Sequence, residues 1–178
     1  DLILRGHDQI TIDGPIYLVV DGNINLGADT AIVVNENASL EIHVEGNVSL
    51  DGSIVNNSRL PSKVAIIGTN TDTRSIILRG DNALYGAVYA PNSDFYAYGY
   101  ESTRDIFGAI VARKVTFDNT TNFHFDTSLR EAGFAPPAAP FLCIRLRTSF
   151  ERHCLNAFLH KSRKLRRPPN SRRMILMG

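Results

Sequence analysis

Ile16-Tyr-Leu-Val-Val-Asp-Gly-Asn-Ile-Asn-Leu26 and Leu40-Glu-Ile-His-Val-Glu-Gly-Asn-Val-Ser-Leu50 are two copies of one pattern, placed 24 residues apart. Each copy has a short apolar run, then an acidic residue, Gly and Asn, then a second apolar run. A fixed period of 20–50 residues is typical of solenoids, in which each unit buries its apolar face against the next unit.

The period extends over most of the chain. The central apolar residues of five such runs are Leu18, Ile42, Ile66, Val88 and Ile110, at spacings of 24, 24, 22 and 22 residues. Two further echoes support the repeat: the segment 84–90 returns as 106–112, and 2–6 returns as 76–80. These repeats indicate that equivalent residues stack along one axis.

The local pattern within each unit favours strands over helices. The runs have four to seven residues, are rich in Val, Ile, Tyr and Phe, and are separated by Gly, Asn and Asp. We therefore predict an all-β fold, a single-stranded right-handed parallel β-helix of about six coils with two or three strands in each coil. Asn23 and Asn47 are expected to stack as a corner ladder, and Gly86 and Gly108 to lie at close contacts inside strands.

Charge divides the 178-residue chain into two parts. Residues 1–134 hold 9 Lys and Arg against 17 Asp and Glu, a net charge of −8, whereas residues 135–178 carry +9. We assign 1–134 to the β-helix and 135–178 to a basic Pro/Arg-rich tail outside the repeat. Four interpretations of that tail stay open: disorder, a capping helix over Phe141–Leu159, a basic arm for nucleic acid or anionic lipid, and residues that are not native to the domain.

The outward positions of the repeated strands form the candidate surface. Strands covered on one side alternate apolar and polar residues, yet several outward positions here are apolar. We call them the packing stripe: Val19, Ala65, Ile67, Ala87, Tyr89, Ala109 and Val111. Monomers seldom expose a contiguous apolar area of this kind, so we expect a partner to cover it.

A second candidate is an aromatic contact patch in the segment 95–100. Tyr96, Tyr98 and Tyr100 alternate along the chain and are expected to share one face. Such rings could stack on a surface glycan, although a ladder of rings that only stabilises its own coil is the other interpretation.

The residues do not favour catalysis. Asp13, Asp21, Asp51 and Asp81 adjoin Gly or Asn, which is typical of turns. Glu41, His43 and Glu45 share an outward face, and neighbours on that face lie about 6.6 Å apart, too wide to surround one zinc ion. We predict that the protein is not an enzyme and has no cofactor or metal.

Three segments resemble a known family. The runs 83–92 and 106–115, with Phe123-His-Phe-Asp126, are similar to a bacterial β-helical domain at the C-terminal end of prepilin-like, pilus-assembly-type surface proteins. The resemblance covers residues 10–130 and supplies no catalytic residues. It implies an extracytoplasmic location at the cell envelope or surface, with an upstream pilin-like helix or a neighbouring chain as the partner.

These observations favour a non-catalytic structural or adhesive envelope module. The alternative is a carbohydrate-binding or carbohydrate-active β-helix, and a self-polymerising scaffold is a third hypothesis. We expect no nucleic acid on the body of the domain. No apolar run approaches the roughly 20 residues that span a bilayer.

Overall fold

The chain folds into stacked β-strands with almost no helix. A computed structural model describes residues 1–79, 82–99, 103–118 and 120–130, and for residues 142–146 the backbone alone. The strands are β1 Leu2–Leu4, β2 Gln9–Ile12, β3 Pro15–Val20, β4 Ile24–Leu26, β5 Ala31–Val34, β6 Ser39–Val44, β7 Val48–Leu50, β8 Ser53–Asn56, β9 Val64–Gly68, β10 Arg74–Leu78, β11 Leu84–Ala97, β12 Arg104–Phe117, β13 Thr121–Phe125 and β14 Leu142–Leu146. Two 3₁₀ turns cover Pro61–Lys63 and Thr127–Arg130.

The predicted register is confirmed residue by residue. Leu18 pairs with Ile42, Ile42 with Ile66, Ile66 with Val88, and Val88 with Ile110, and every pairing is parallel. The fold is therefore a β-solenoid. Strands β3, β6, β9, β11, β12 and β13 follow one another in the stack, so the six expected levels are separated by five turns. The hand of the coil stays a prediction.

The stack has two long faces and one short one. We call β3, β6, β9, the first half of β11, β12 up to Ala112, and β13 the register face. Strands β1, β4, β7 and β10 form the second face, which continues into the last residues of β11 and β12. Strands β2, β5 and β8 form a separate three-stranded sheet, which ends after the third level.

The later coils differ from the expected pattern of short strands. Strands β11 and β12 each run for 14 residues and cross from the register face to the second face. A shift in their pairing between Ala90 and Asp94 marks the point where they change face. Because the third sheet is absent at these levels, the described coils narrow from three sides to two.

The core runs along the axis between the faces. Alternate residues of the strands are buried, among them Val20, Leu26, Val34, Ile42 and Phe95. Burying one such side chain contributes about 1.5–3 kcal/mol relative to leaving it exposed. The period of two along each strand thus defines an inner and an outer column at every register position.

Asparagine ladders hold the corners together. The Asn23 Oδ1 atom accepts the Asn47 backbone N–H at 2.8 Å, and the Asn47 Oδ1 atom accepts the Ser75 N–H at 3.0 Å. The Asp1 carboxylate begins the ladder by accepting the Asn23 N–H at 2.6 Å. The expected stacking of Asn23 on Asn47 is therefore confirmed.

The two strand glycines lie where the backbones come close. A Cβ atom on Gly108 would lie 1.8 Å from the Gly86 carbonyl oxygen, and Gly108 has a φ of +152°. A Cβ atom on Gly86 would lie 3.1 Å from the Val64 carbonyl oxygen. The close packing predicted at both positions is confirmed.

One segment of the tail has a described backbone. Residues Leu142–Leu146 form a strand that pairs in parallel with β3, at the opposite end of the register face from β13. The expected alternative of a helix over 141–159 is wrong for these five residues. The other residues of 135–178 lie outside the described part of the chain.

Candidate functional site

The outer surface of the register face has two columns of stacked residues. One column runs through Tyr17, Glu41, Ala65, Ala87 and Ala109, and the other through Val19, His43, Ile67, Tyr89 and Val111. Every residue predicted for the packing stripe falls in one of these columns. The register thus brings the predicted residues together on one surface.

A polar pair interrupts the stripe at the second level. The His43 Nε2 and Glu41 Oε1 atoms lie 2.6 Å apart, and the His43 ring lies 4.4 Å from the Tyr17 ring. This pair separates Val19 from Ile67. The continuous apolar part therefore begins at Ala65 and covers the third to fifth levels.

The alanine column of this surface is already covered. Ala65 is 8% exposed and Ala87 is 3% exposed, although both occupy outward positions. The turn Thr127–Arg130 lies against both β12 and the turn Pro61–Lys63, so the chain turns back along the register face after β13. Leu129 in this turn is buried as well. The chain thus protects part of the surface with its own residues.

The second column contains the exposed part. Tyr89 and Val111 are register partners on β11 and β12, and they are 49% and 48% exposed. Two neighbouring large apolar side chains that remain half in water are a candidate contact point for another molecule. We call Tyr89 and Val111 the exposed pair.

A second apolar surface lies at the end of the stack, and sequence reasoning missed it. Phe123 pairs with the buried Ile106 and Phe117 with the buried Ala97, so the two phenylalanines occupy inward positions. Both are nevertheless exposed because no further coil of the described residues follows them. The exposed inward residues are Val115, Phe117, Phe123 and Phe125, which we call the open end.

An acidic and aromatic cluster lies on the outer side of the last two levels. The Asp105 Oδ1 atom accepts hydrogen bonds from His124 Nε2 at 2.9 Å and from Asn122 Nδ2 at 3.2 Å. The bond from His124, and then that from Asn122, hold the pKa of Asp105 below its usual value against the opposing effect of burial. His124 also stacks on Phe107, with 4.4 Å between ring centroids, and Phe107 stacks on Tyr85 at 4.6 Å.

A second carboxylate holds the corner between β12 and β13. Burial acts to raise the pKa of Asp118, but hydrogen bonds from Thr120, Thr121 and the Gly99 amide together lower it below the usual value. The Asp118 oxygens accept the Thr121 hydroxyl at 2.9 Å and the Gly99 N–H at 3.0 Å. The carboxylate therefore acts as the polar centre of this turn.

The aromatic contact patch is present in part. The Tyr96 and Tyr98 rings are parallel within 8°, with 6.1 Å between their centroids. They lie on and just after the second-face part of β11, away from the packing stripe, and the Tyr96 hydroxyl lies 3.4 Å from the Asp94 Oδ2 atom. Tyr100 lies outside the described residues. The two described rings do share one side, as the alternation predicts.

The described residues offer little for metal chemistry or for membrane crossing. Within residues 1–79, 82–99, 103–118 and 120–130, no three His, Cys, Asp or Glu side chains are placed to hold a metal ion. In the same part of the chain, no helix has the length and apolar character required to cross a bilayer.

Comparison with known proteins gives one match. Residues 3–132 match the model of a family described as a domain of unknown function (DUF7305). No curated protein and no solved structure matches the chain. The match covers the whole solenoid and ends shortly after Arg130, before the basic tail.

Proposed function

The chain belongs to the DUF7305 family, and we propose that it is a non-catalytic structural or adhesive module of the bacterial cell envelope or of a pilus-associated surface assembly. The proposed partner is an upstream pilin-like helix or a neighbouring protein chain. The observation that carries this proposal is the exposed pair, Tyr89 and Val111, beside an alanine column that the chain already covers.

The shape of this surface supports a packed contact rather than a reaction site. Small outward side chains at Ala65, Ala87 and Ala109 form a shallow strip along the axis, and Tyr89 and Val111 form its rim. A strip of small residues bordered by larger ones accepts an elongated apolar partner, such as one face of a helix. The Glu41–His43 pair at the second level would mark the end of that contact.

Substitution of the exposed pair tests the proposal. Tyr89→Ser and Val111→Ser should leave the fold intact, because both side chains are already half in water, but should abolish recovery of the natural partner by cross-linking in the source cells. Val55→Ser is the matched control, since Val55 is a similarly exposed apolar residue on the three-stranded sheet. Equal recovery with all three variants would contradict the proposal.

Location is tested separately. Antibody against the domain should label intact cells, and protease added outside them should remove the signal. Retention of the signal in the cytoplasmic fraction alone would contradict an envelope role, whatever the exposed pair binds.

Carbohydrate binding is the second candidate because of the parallel Tyr96 and Tyr98 rings near Asp94. Aromatic rings with a carboxylate beside them can offer stacking and hydrogen bonding to a sugar. Glycan-array binding that is lost in Tyr96→Ala and Tyr98→Ala, and retained in Tyr89→Ser, would favour this candidate over protein packing.

A further inference from the structure

Strand β14 continues the inner pattern of the solenoid. Leu142 pairs with Ile16, Ile144 with Leu18 and Leu146 with Val20, so apolar residues of β14 occupy the register positions of inward residues of β3. The alternation Leu142-Cys-Ile-Arg-Leu146 matches that of Leu40-Glu-Ile-His-Val44. Although β14 lies in the tail, its sequence is that of a register strand.

The spacing of β14 also fits a different position in the stack. One column of register positions contains Leu142 and Ile16 at one end, and Gly108 and Phe125 at the other. Gly108 and Phe125 are 17 residues apart, and Phe125 and Leu142 are again 17 residues apart. Residues 142–146 are therefore spaced as the next level after β13, although they pair with β3.

Each end of the register face has an edge that a strand can occupy. At one end the edge of β3 takes β14 in parallel orientation. At the other end β13 pairs only with β12 among the described strands, and Phe123 and Phe125 of the open end are exposed. Both edges belong to parallel strands that run in the same direction, so one strand could pair with β13 on one side and with β3 of another copy on the other.

We infer that Leu142–Leu146 is an exchangeable strand that joins copies of this chain end to end. In the single chain it occupies the edge of its own β3. In the assembly it follows its own β13 as a further level and pairs with β3 of a second copy, which covers the open end. This inference deepens the proposed structural role, and it does not depend on the exposed pair.

The geometry allows both positions. Five strand spacings of about 4.8 Å separate β13 from β3, or about 24 Å, and the twelve steps from Arg130 to Leu142 reach up to about 40 Å. Pairing within one chain is therefore open to a monomer, and pairing between chains is favoured as the protein concentration rises. Because the contact joins opposite ends of the rod, it does not close on itself and gives open chains.

A cysteine introduced opposite the native Cys143 tests the inference in the full chain. Cys143 is the register partner of Tyr17, and registered Cα atoms lie within the 4.4–6.8 Å that a disulfide requires. Tyr17→Cys, in a Cys154→Ser background, should give an intramolecular disulfide in dilute solution. In concentrated solution it should give a ladder of disulfide-linked multimers, and mass spectrometry should identify the linkage between position 17 and Cys143.

Glu41→Cys in the same background is the matched control, because Glu41 lies one strand further from β14, about 9.6 Å away. It should cross-link at least about tenfold more slowly, since that distance exceeds the disulfide range. Equal rates for the two variants would overturn the placement of β14 on β3. Monomers alone at every concentration, or a product that stops at the dimer, would overturn the end-to-end assembly.

A second variant keeps the test independent of the cysteine. Ile144→Pro lacks the backbone N–H and disfavours a strand, so it should abolish the concentration-dependent growth seen by light scattering. Cys143→Ala, on the same strand, should leave that growth unchanged. Growth that persists in Ile144→Pro would show that the copies associate through another surface.

Discussion

The His124 Nε2 atom lies 2.9 Å from the Asp105 Oδ1 atom, and this contact ties β13 to β12 on the outer side of the last turn. The hydrogen bond lowers the pKa of Asp105, which means that the folded state favours the charged carboxylate. Linkage then requires that the contact stabilises the fold wherever Asp105 is ionised.

The first prediction concerns acid pH. Because the folded pKa of Asp105 lies below the unfolded value of about 3.9, its contribution is present above that value and is lost as the pH falls through the folded pKa. Asp105→Asn should therefore lower the denaturation midpoint at pH 7, and the difference from wild type should vanish in strong acid. Asp29→Asn, at an exposed corner, is the control. A difference between Asp105→Asn and wild type that is constant with pH would contradict this interpretation.

The second prediction concerns the turn that Asp118 organises. Asp118→Ala removes the acceptor of the Gly99 and Thr120 amides and of the Thr121 hydroxyl, so these backbone amides should exchange with solvent faster. Hydrogen exchange measured by mass spectrometry should show the change at residues 99 and 120–121. Exchange at Val48–Leu50, at the other end of the stack, should be unaffected, and an increase there would indicate global destabilisation instead.

The third prediction concerns Gly108. Gly108→Ala would place a methyl group 1.8 Å from the Gly86 carbonyl oxygen at a φ that alanine rarely adopts. We expect a loss of about 3 kcal/mol or more in the free energy of unfolding, because two neighbouring backbones must move apart. Gly14→Ala is the control, since nothing lies within 4 Å of its added Cβ and its φ is ordinary. It should change stability by about 0.5 kcal/mol or less. Similar losses for both variants would contradict the predicted contact.

The sequence predicts the first half of this fold better than the second. The spacing from Leu18 to Ile110 defines the register because identical corners force identical coil lengths. From β10 onward the third sheet is absent and the coils shorten, so the 22-residue spacing no longer applies. The 17-residue step that brings His124 to Phe107 depends on this shortening. The Asp105–His124 contact was therefore hidden from pattern reasoning.

The candidate surface shows the same limit. Inward and outward positions follow from alternation, and the packing stripe residues do share the outer columns. Alternation does not report which outward residues are covered, and the burial of Ala65 and Ala87 is a property of the folded chain. It also cannot show where stacking stops, so Phe123 and Phe125 looked like ordinary core residues. Strand β14 was missed because a charged, proline-containing segment hides its five-residue alternation.

The fourth prediction concerns the asparagine ladder. Asn47→Ala removes the oxygen that accepts the Ser75 N–H at 3.0 Å and the Ser75 hydroxyl at 3.1 Å. We expect a loss of about 1 kcal/mol in the free energy of unfolding, typical of a hydrogen bond. The double variant Asn23→Ala/Asn47→Ala should lose less than the sum of the single variants, because the two residues contact one another. Strict additivity would contradict a cooperative ladder. Asn25→Ala, an exposed position on β4, is the control.

The last prediction compares two phenylalanines at inward positions. Phe95 is fully buried, and Phe95→Ala should cost about 3–5 kcal/mol in the free energy of unfolding measured with denaturant. Phe125 pairs with Gly108 at an equally inward position but is 51% exposed, so Phe125→Ala should cost clearly less in dilute protein. If end-to-end assembly covers the open end, the cost of Phe125→Ala should rise with protein concentration while that of Phe95→Ala stays constant. A cost for Phe125→Ala that equals that of Phe95→Ala in dilute protein would mean that the chain covers this end by itself, and it would argue against a second copy there.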